Sequence, residues 1–435
     1  MRDKTDLLGL HDTSPLTNNL KALSDSLSKP KPVYTMDGLI SENRLAWIKN
    51  NISSIWRSRH SPYPTYDMPS VNNGIFKMQE PVSRPVSIAV LADWASDTPE
   101  SQMIAGQAGI QDYSIHLGDT YYVGNAQEVR ENFNTDESGS WPYGTYGSFS
   151  LPGNHEMYSG GEGFFNELLP FMGSYDGTND KPVQPQQASF FCLENDYWRL
   201  IGLDTGYDSL TGFFGLTPNT NLDLLQVQKD WLTNIVKPGE DQRGLIILSH
   251  HQIFSAFEQE FSNPADFIAS LIDPSRRIIW LMGHEHRLSI YGANALKNGA
   301  KAYSRCIGNG GMPVELNGED GGLITPKDAD NPGNPVNRNL TLYDQRQREV
   351  VNGTVPLGHN GYEILILDDA NLTISYFDDN GGSGSGRKII EEKWRIDTQT
   401  GQLTGISIED LTNTADIPAE QQLTLFGDAL MSAVK

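Results

Sequence analysis

The chain reads as a layered α/β protein, a single large sandwich with extensions, on three observations. Apolar runs of strand length recur through its middle: Ser87 to Leu91, Tyr113 to Leu117, Phe149 to Leu151, Leu245 to Leu248 and Ile278 to Met282. Stretches of helical apolar spacing alternate with them. Each run also ends in a short polar motif: Asp93, Gly118-Asp119, Gly153-Asn154-His155-Glu156, His250-His251 and Gly283-His284-Glu285-His286. In layered α/β proteins the ends of neighbouring strands converge, so these motifs are expected to meet in space.

Taken in chain order, residues 1 to about 80 form an N-terminal helical extension, with helical spacing at Leu20 to Leu27 and Ser41 to Trp56 and a linker around Pro62 to Pro69. The main domain, 81 to 400, opens with a strand near Pro85. Helices are expected at Ala126 to Phe133, Gly163 to Leu169, Leu222 to Ile235 and Asp266 to Ile272. After the last motif come strands at Ala302 to Ile307, Tyr362 to Leu367, Leu372 to Phe377 and Lys388 to Trp394, the last two as a hairpin whose loop is Asp378 to Gly386. Residues 316 to 340 form a long Asn-, Gly-, Asp- and Pro-rich loop, either lying over the site or disordered. Residues 401 to 435 read as a C-terminal tail.

The 435 residues carry 55 acidic and 32 basic side chains, a formal charge of -23, which argues against a generic nucleic-acid or anionic-membrane binder. No run approaches the ~20 apolar residues of a membrane span, and Met1 to Pro15 lacks the apolar core of a signal peptide, so a cytoplasmic location is the default expectation. Cys192 and Cys306 are the only cysteines and are expected as free, buried thiols. Oligomeric state is not legible.

Of nine histidines, five (His155, His250, His251, His284, His286) fall in the strand-end motifs. Asp93 and Asp119 are hard anionic donors, Asn154 offers an amide oxygen, and His250, His284 and His286 offer imidazole nitrogen. That mixed set suits Fe, Mn, Zn or Co rather than Ca or Mg, and the absence of thiolates argues against a structural zinc site. His284 and His286 at i, i+2 point to one face of a strand end, so each can serve one of two metals, with Asp119 as the bridging candidate. Other polar residues read as structural: His116 as a buried core histidine, His359 as a loop residue, Asp204 as a turn former, and Gly308 to Gly311 as a turn, since no Lys-Ser/Thr or helix follows it.

The motif series, in this order over about residues 85 to 310, resembles the calcineurin-like metallophosphoesterases (D-x-H, G-D, G-N-H-[DE], H, G-H-x-H), and within them the purple acid phosphatases. Asp93-Trp94-Ala95 departs from the superfamily by placing Ala95 where a metal-binding His usually stands. Purple acid phosphatases also lack that His and use the Tyr of G-D-x-x-Y; in Gly118-Asp119-Thr120-Tyr121-Tyr122 that position is Tyr122, with Tyr121 the alternative if the local register differs.

The resemblance implies a four-layer α/β/β/α sandwich and two metal ions, Fe(III) with a divalent Fe, Zn or Mn. It places one ion on Asp93, Asp119, Tyr122 and His286 and the other on Asp119, Asn154, His250 and His284. It further implies hydrolysis of small phosphate monoesters by a metal-bound hydroxide, with His155 binding or protonating substrate, Glu156 orienting it, and His251 touching substrate or packing. The alternatives are a phosphodiesterase of the same fold and a non-catalytic binding protein. A further His that plant-type members carry beyond the ligand matching His250 is absent here; Glu258 and Glu260 occupy that stretch, as leaving-group acids or as solvated surface.

Overall fold

The computed structural model describes residues 61–66, 72–133, 140–176, 181–211, 217–318, 322–327, 338–351, 355–382, 384–413, 417–425 and 430–435. Two nine-stranded sheets dominate it. The first contains the parallel trio Val86–Leu91, Tyr113–His116 and Gly147–Ser150, continued on the other side of Val86–Leu91 by an antiparallel run of Gly361–Asp368, Asn371–Asp378, Arg387–Ile396 and Leu403–Asp410. The second is built on four parallel strands, Trp198–Leu203, Gly244–Ser249, Arg277–Met282 and Lys301–Ile307.

The alternation of side chains along a strand separates the layers. Ile88 and Val90 join Leu365 and Leu367 in the core between the sheets, together with Leu200, Ile247 and Leu281 of the second sheet. Ala89 and Leu91 point the other way, into a smaller cluster with Ile104, Val129, Phe133, Phe164 and Leu168 from the helical segments. Strands apolar on both faces are what a sheet buried between other layers requires, and this is why the runs read as continuous rather than alternating. The architecture is the mixed α/β two-sheet sandwich expected from the sequence.

Helical segments occur at Ala126–Glu128 continuing through Val129–Phe133, at Phe164–Leu168, at Gln226–Trp231 continuing through Leu232–Val236, and at Asn263–Leu271, close to the expected positions. A further helix, Pro99–Ala108, went unrecognised. Its start has a capping box, Thr98 with Ser101, and Pro99 in the first turn, a signal present in the sequence. The hairpin of Asn371–Asp378 with Arg387–Ile396 is as expected.

The expected boundaries shift at both ends. Ile75–Lys77 pairs in parallel with Phe191–Glu194, so the sheet begins before residue 81. The stretch read as a C-terminal tail supplies Leu403–Asp410 to the first sheet and Thr424–Leu425 to the second. Its polar alternation hid strands that bury only one face. The helices expected at Leu20 to Leu27 and Ser41 to Trp56 lie outside the described residues.

An ion pair ties the layers together. Arg305, on the second sheet, meets Glu392 of the first through two hydrogen bonds of 3.1 and 2.6 Å, with both side chains fully buried. Tyr376 donates to the same carboxylate at 2.6 Å, and Arg305 also donates to the Ala433 carbonyl at 2.9 Å. Removing one member of such a pair costs about 3–5 kcal/mol because the other is left charged and buried. Cys192 and Cys306 are free and buried. Among the described residues no helix is long and apolar enough to cross a membrane.

Candidate metal centre

The carboxyl ends of the two parallel sets face one another. Val86–Leu91 leads to Asp93, Tyr113–His116 to Asp119 and Gly147–Ser150 to Asn154; from the other sheet, Gly244–Ser249 leads to His250 and Arg277–Met282 to His284 and His286. The chain leaves these strands abruptly. Asp93, Asp119 and His284 have φ of 56, 73 and 71°, left-handed backbone that non-glycine residues rarely adopt and that persists where the surroundings over-determine it. Gly153 shows how closely the loops approach: a Cβ there would lie 2.1 Å from Asp119 Oδ1 and 2.7 Å from His250 Nε2.

One group of donors gathers around Asp93. The Tyr121 hydroxyl lies 3.0 Å from Asp93 Oδ1, 3.0 Å from Asp119 Oδ2 and 2.9 Å from His286 Nε2. His286 Nε2 is itself 3.6 Å from Asp93 Oδ1. The second group shares Asp119: His250 Nε2 is 3.4 Å from Asp119 Oδ1 and 3.2 Å from Asn154 Oδ1. The His284 ring lies 5.2 Å from that of His250. The Nδ1 of His250 contacts the Leu117 carbonyl at 3.0 Å, which fixes the ring and leaves Nε2 toward the carboxylate.

The expectation for Tyr122 is corrected by one residue. Thr120 bridges to Ala95 in parallel, and Tyr121 N–H donates to the Ala95 carbonyl, which pins the start of the turn Tyr121 to Val123 beside the position where a His is missing. Tyr121 is fully buried with its hydroxyl among the donors, whereas Tyr122 lines the open cleft and gives its carbonyl to His155 Nδ1 at 2.7 Å.

These donors fit cations. Asp93 and Asp119 are 0% and 1% exposed, yet their ion-pair partners among the described residues are histidines alone. Two buried carboxylates without Lys or Arg need another positive charge. Burial works against the charge of Asp119, but His250, His155 and His284 hold its carboxyl well below the usual range. Burial and then the Asp119 and Asp93 carboxylates push the Tyr121 hydroxyl far up, so only a cation at that point would ionise it. His284 is pushed down to about 4 by burial and by His250, which keeps it neutral and able to ligate. His286 is lifted above its ordinary value: burial lowers it, but the hydrogen bond and charge of Asp93 outweigh that.

A second acidic cluster offers a contrast. His359, Asp378 and Asp379 also converge, but Arg346 and Arg387 pair with Asp378, and Arg348 with Asp379, so positive charge is already present. His359 therefore serves its loop.

The three expected catalytic residues part company. His155 lines the cleft with Nε2 3.9 Å from Asp119 Oδ2. Glu156 does not orient it. That carboxylate is fully buried and accepts the backbone N–H groups of Asp119 (3.2 Å), Thr120 (2.6 Å) and Gly153 (2.8 Å), clamping two donor loops together. Burial and the nearby Asp119 push it up to about 7. His251 is buried behind His284, ring to ring at 4.6 Å, with Nδ1 on Thr205 Oγ1 at 3.1 Å; it packs rather than lining the cleft, although its nitrogens lie close enough to those of His250 and His284 for a shared ion.

The remaining polar residues behave structurally. His116 is buried against Phe133 and Trp141 and pushed down to about 3 by burial. Asp204 accepts from the N–H groups of Gly206 and Tyr207, the turn expected of it. Gly308 to Gly311 folds back on Asp93, where a Cβ on Gly308 would sit 2.9 Å from Asp93 Oδ2.

A cleft of about 420 Å³ opens beside the donors. Its walls include His155, His284, His286, Tyr122, Tyr158, Arg287, Glu258, Glu315 and Ile324. Ile324 shows that the described part of the long 316 to 340 loop borders the site. Of the two glutamates considered, only Glu258 reaches the cleft; Glu260 is bound by Arg338 through two hydrogen bonds of 2.5 Å. Arg287, Tyr158 and Glu315 escaped the sequence reading, although Arg287 directly follows the last motif.

A sandwich whose strand ends bring two carboxylates, an amide and three imidazoles together defines a metallohydrolase class of site. Residues 86–288 match the family model of the calcineurin-like phosphoesterases. No curated protein matches the sequence. Among solved structures, that of PhoD is 10% identical with a TM-score of 0.48, covering 79% of this chain and 76% of its own. A Vps29 single mutant from Entamoeba histolytica is 10% identical (TM-score 0.25; 70% and 98% covered). A conserved protein from Streptococcus pneumoniae TIGR4, described as a predicted phosphoesterase, is 11% identical (TM-score 0.23; 70% and 96% covered).

Proposed function

We propose that this protein hydrolyses small phosphate monoesters with two metal ions, in the manner of purple acid phosphatases. The observation that carries the reading is the pair of donor groups sharing Asp119, set around buried carboxylates that have no Lys or Arg partner among the described residues. Asp93, Asp119, Tyr121 and His286 would hold one ion, Fe(III) by the hardness of its phenolate and carboxylate donors. Asp119, Asn154, His250 and His284 would hold a divalent Fe, Zn or Mn. When bound, such ions polarise the phosphoryl group and lower the pKa of a coordinated water toward neutrality.

The chain supplies the rest. His155, anchored at Nδ1 by the Tyr122 carbonyl, presents Nε2 to the cleft, where it can hold a phosphoryl oxygen or deliver a proton to the departing alkoxide. Glu156 keeps the Asp119 and Gly153 loops at fixed separation, so the two donor groups stay in register. Ile324, Pro218 and Pro313 form apolar parts of the cleft wall.

The test is hydrolysis of p-nitrophenyl phosphate against its bis ester by protein reconstituted with iron and zinc or manganese. A clear preference for the monoester is expected. Preference for the diester would move the reading to a phosphodiesterase, and binding of less than one metal per chain would defeat it.

A further inference from the structure

We propose that Arg287 is a receptor for a second anionic group on the substrate, so that the preferred esters carry a carboxylate or phosphate on the leaving-group side. This rests on the phosphomonoesterase reading above. Arg287 follows His286 and lines the same cleft, its side chain only 13% exposed. Its guanidinium lies over the Phe257 ring at 4.3 Å, which holds the plane without using an N–H group. Among the described residues it donates no side-chain hydrogen bond. The nearest carboxylates, Glu285 at 3.7 Å and Glu258 at 3.9 Å, stand beyond hydrogen-bond distance.

Buried guanidinium groups normally have their fork of donors satisfied. Here the Nε is enclosed and unpartnered, while the side chain as a whole lines the cleft. A planar anion entering from the cleft can accept both terminal N–H groups at once, the geometry in which arginine binds carboxylate and phosphate. Glu258 does not close the position. Its backbone is held on both sides, N–H to Ser255 Oγ at 2.7 Å and carbonyl from Lys327 Nζ at 2.8 Å, but its side chain is 45% exposed and free to turn to solvent.

The opposing possibility is that Glu258 and Glu315, with the Tyr122 and Tyr158 rings, select a cationic leaving group. Three esters of similar size separate these: phosphoglycolate, ethyl phosphate and phosphoethanolamine, whose far ends carry negative, no and positive charge. With metal-loaded protein, kcat/KM is expected to fall in that order, and Arg287→Gln to lower the phosphoglycolate-to-ethyl phosphate ratio roughly ten- to hundredfold, the worth of one or two charge-assisted hydrogen bonds. Arg287→Lys should retain part of the preference. An unchanged ratio in Arg287→Gln, or phosphoethanolamine as the best substrate, overturns the proposal. Calorimetric binding of the non-hydrolysable 3-phosphonopropionate against propylphosphonate decides it without turnover. Equal affinities in the unaltered protein sink it even if the enzyme is active, and tighter binding of the carboxylate lost in Arg287→Gln upholds it even if no ester is cleaved.

Discussion

Tyr121 places its hydroxyl within 3.0 Å of donors from three different loops, while Tyr122, its neighbour, contributes a carbonyl and a cleft wall. A phenolate on Fe(III) absorbs visible light, so Tyr121→Phe should bleach the iron-loaded protein and Tyr122→Phe should leave the band in place. Bleaching by Tyr122→Phe alone, read from the absorption spectrum, would restore the assignment that motif spacing suggests. His155 is the other informative side chain. Its ring touches the site through Nε2 without belonging to either donor group, so His155→Ala should keep two metals per chain and slow kcat by about 10²–10⁴-fold. Metal content by elemental analysis and single-turnover rates check the two halves separately. A variant that loses a metal would make His155 a ligand instead.

The loops behind the donors are held by Glu156, which gathers three backbone N–H groups from two strand ends. An amide at this position keeps one acceptor oxygen and turns an NH2 group toward at least one N–H. Glu156→Gln should therefore cost about 1–3 kcal/mol in urea unfolding and weaken metal affinity by about 10–100-fold, through misplacement of Asp119 rather than loss of a ligand. Unchanged stability and affinity would show that the clamp is dispensable. The strands leading to these loops were legible because they are buried on both faces and read as unbroken apolar runs. Leu403–Asp410 was not, because its outward side chains are polar and its pairing with Arg387–Ile396 is a long-range contact that no local pattern announces. Pro99–Ala108 was missed for the converse reason. Its cap is written in Thr98-Pro99-Glu100-Ser101, but few apolar residues follow to mark its face.

Across the molecule, the donor groups join the two sheets: Asp93, Asp119 and Asn154 come from one, and His250, His284 and His286 from the other. Ions bound there would staple the sandwich. At a free metal concentration of about 100 Kd each site adds about 2.7 kcal/mol, so chelation should lower Tm by several degrees in scanning calorimetry. An unchanged Tm with metal demonstrably removed would place the ions elsewhere. Acid should act at the Arg346–Asp378–Arg387 cluster. Burial disfavours the Asp378 charge, but Arg387 and Arg346 hold its carboxyl below the ordinary 3.8. Its contribution is thus present above that value and lost as pH falls through the native one. Metal-free protein should lose Tm on acidification below about pH 4, and Asp378→Asn should flatten that slope while lowering Tm at neutral pH.

What the amino-acid order determined alone was the class of site: which residues stand at strand ends, in what order, and therefore which donors a metal could meet. Residue type and strand context are local properties, and hydrophobic periodicity reports them directly. The tertiary structure decided which of two adjacent tyrosines turns inward, that Glu156 holds backbone rather than His155, that His251 packs, and that Arg287 lines the cleft with its Nε unpartnered among the described residues. Each of these depends on the direction of a side chain in a turn, loop or short helix, which no local periodicity reports. Only the packing of both sheets around Asp93 and Asp119 sets those directions.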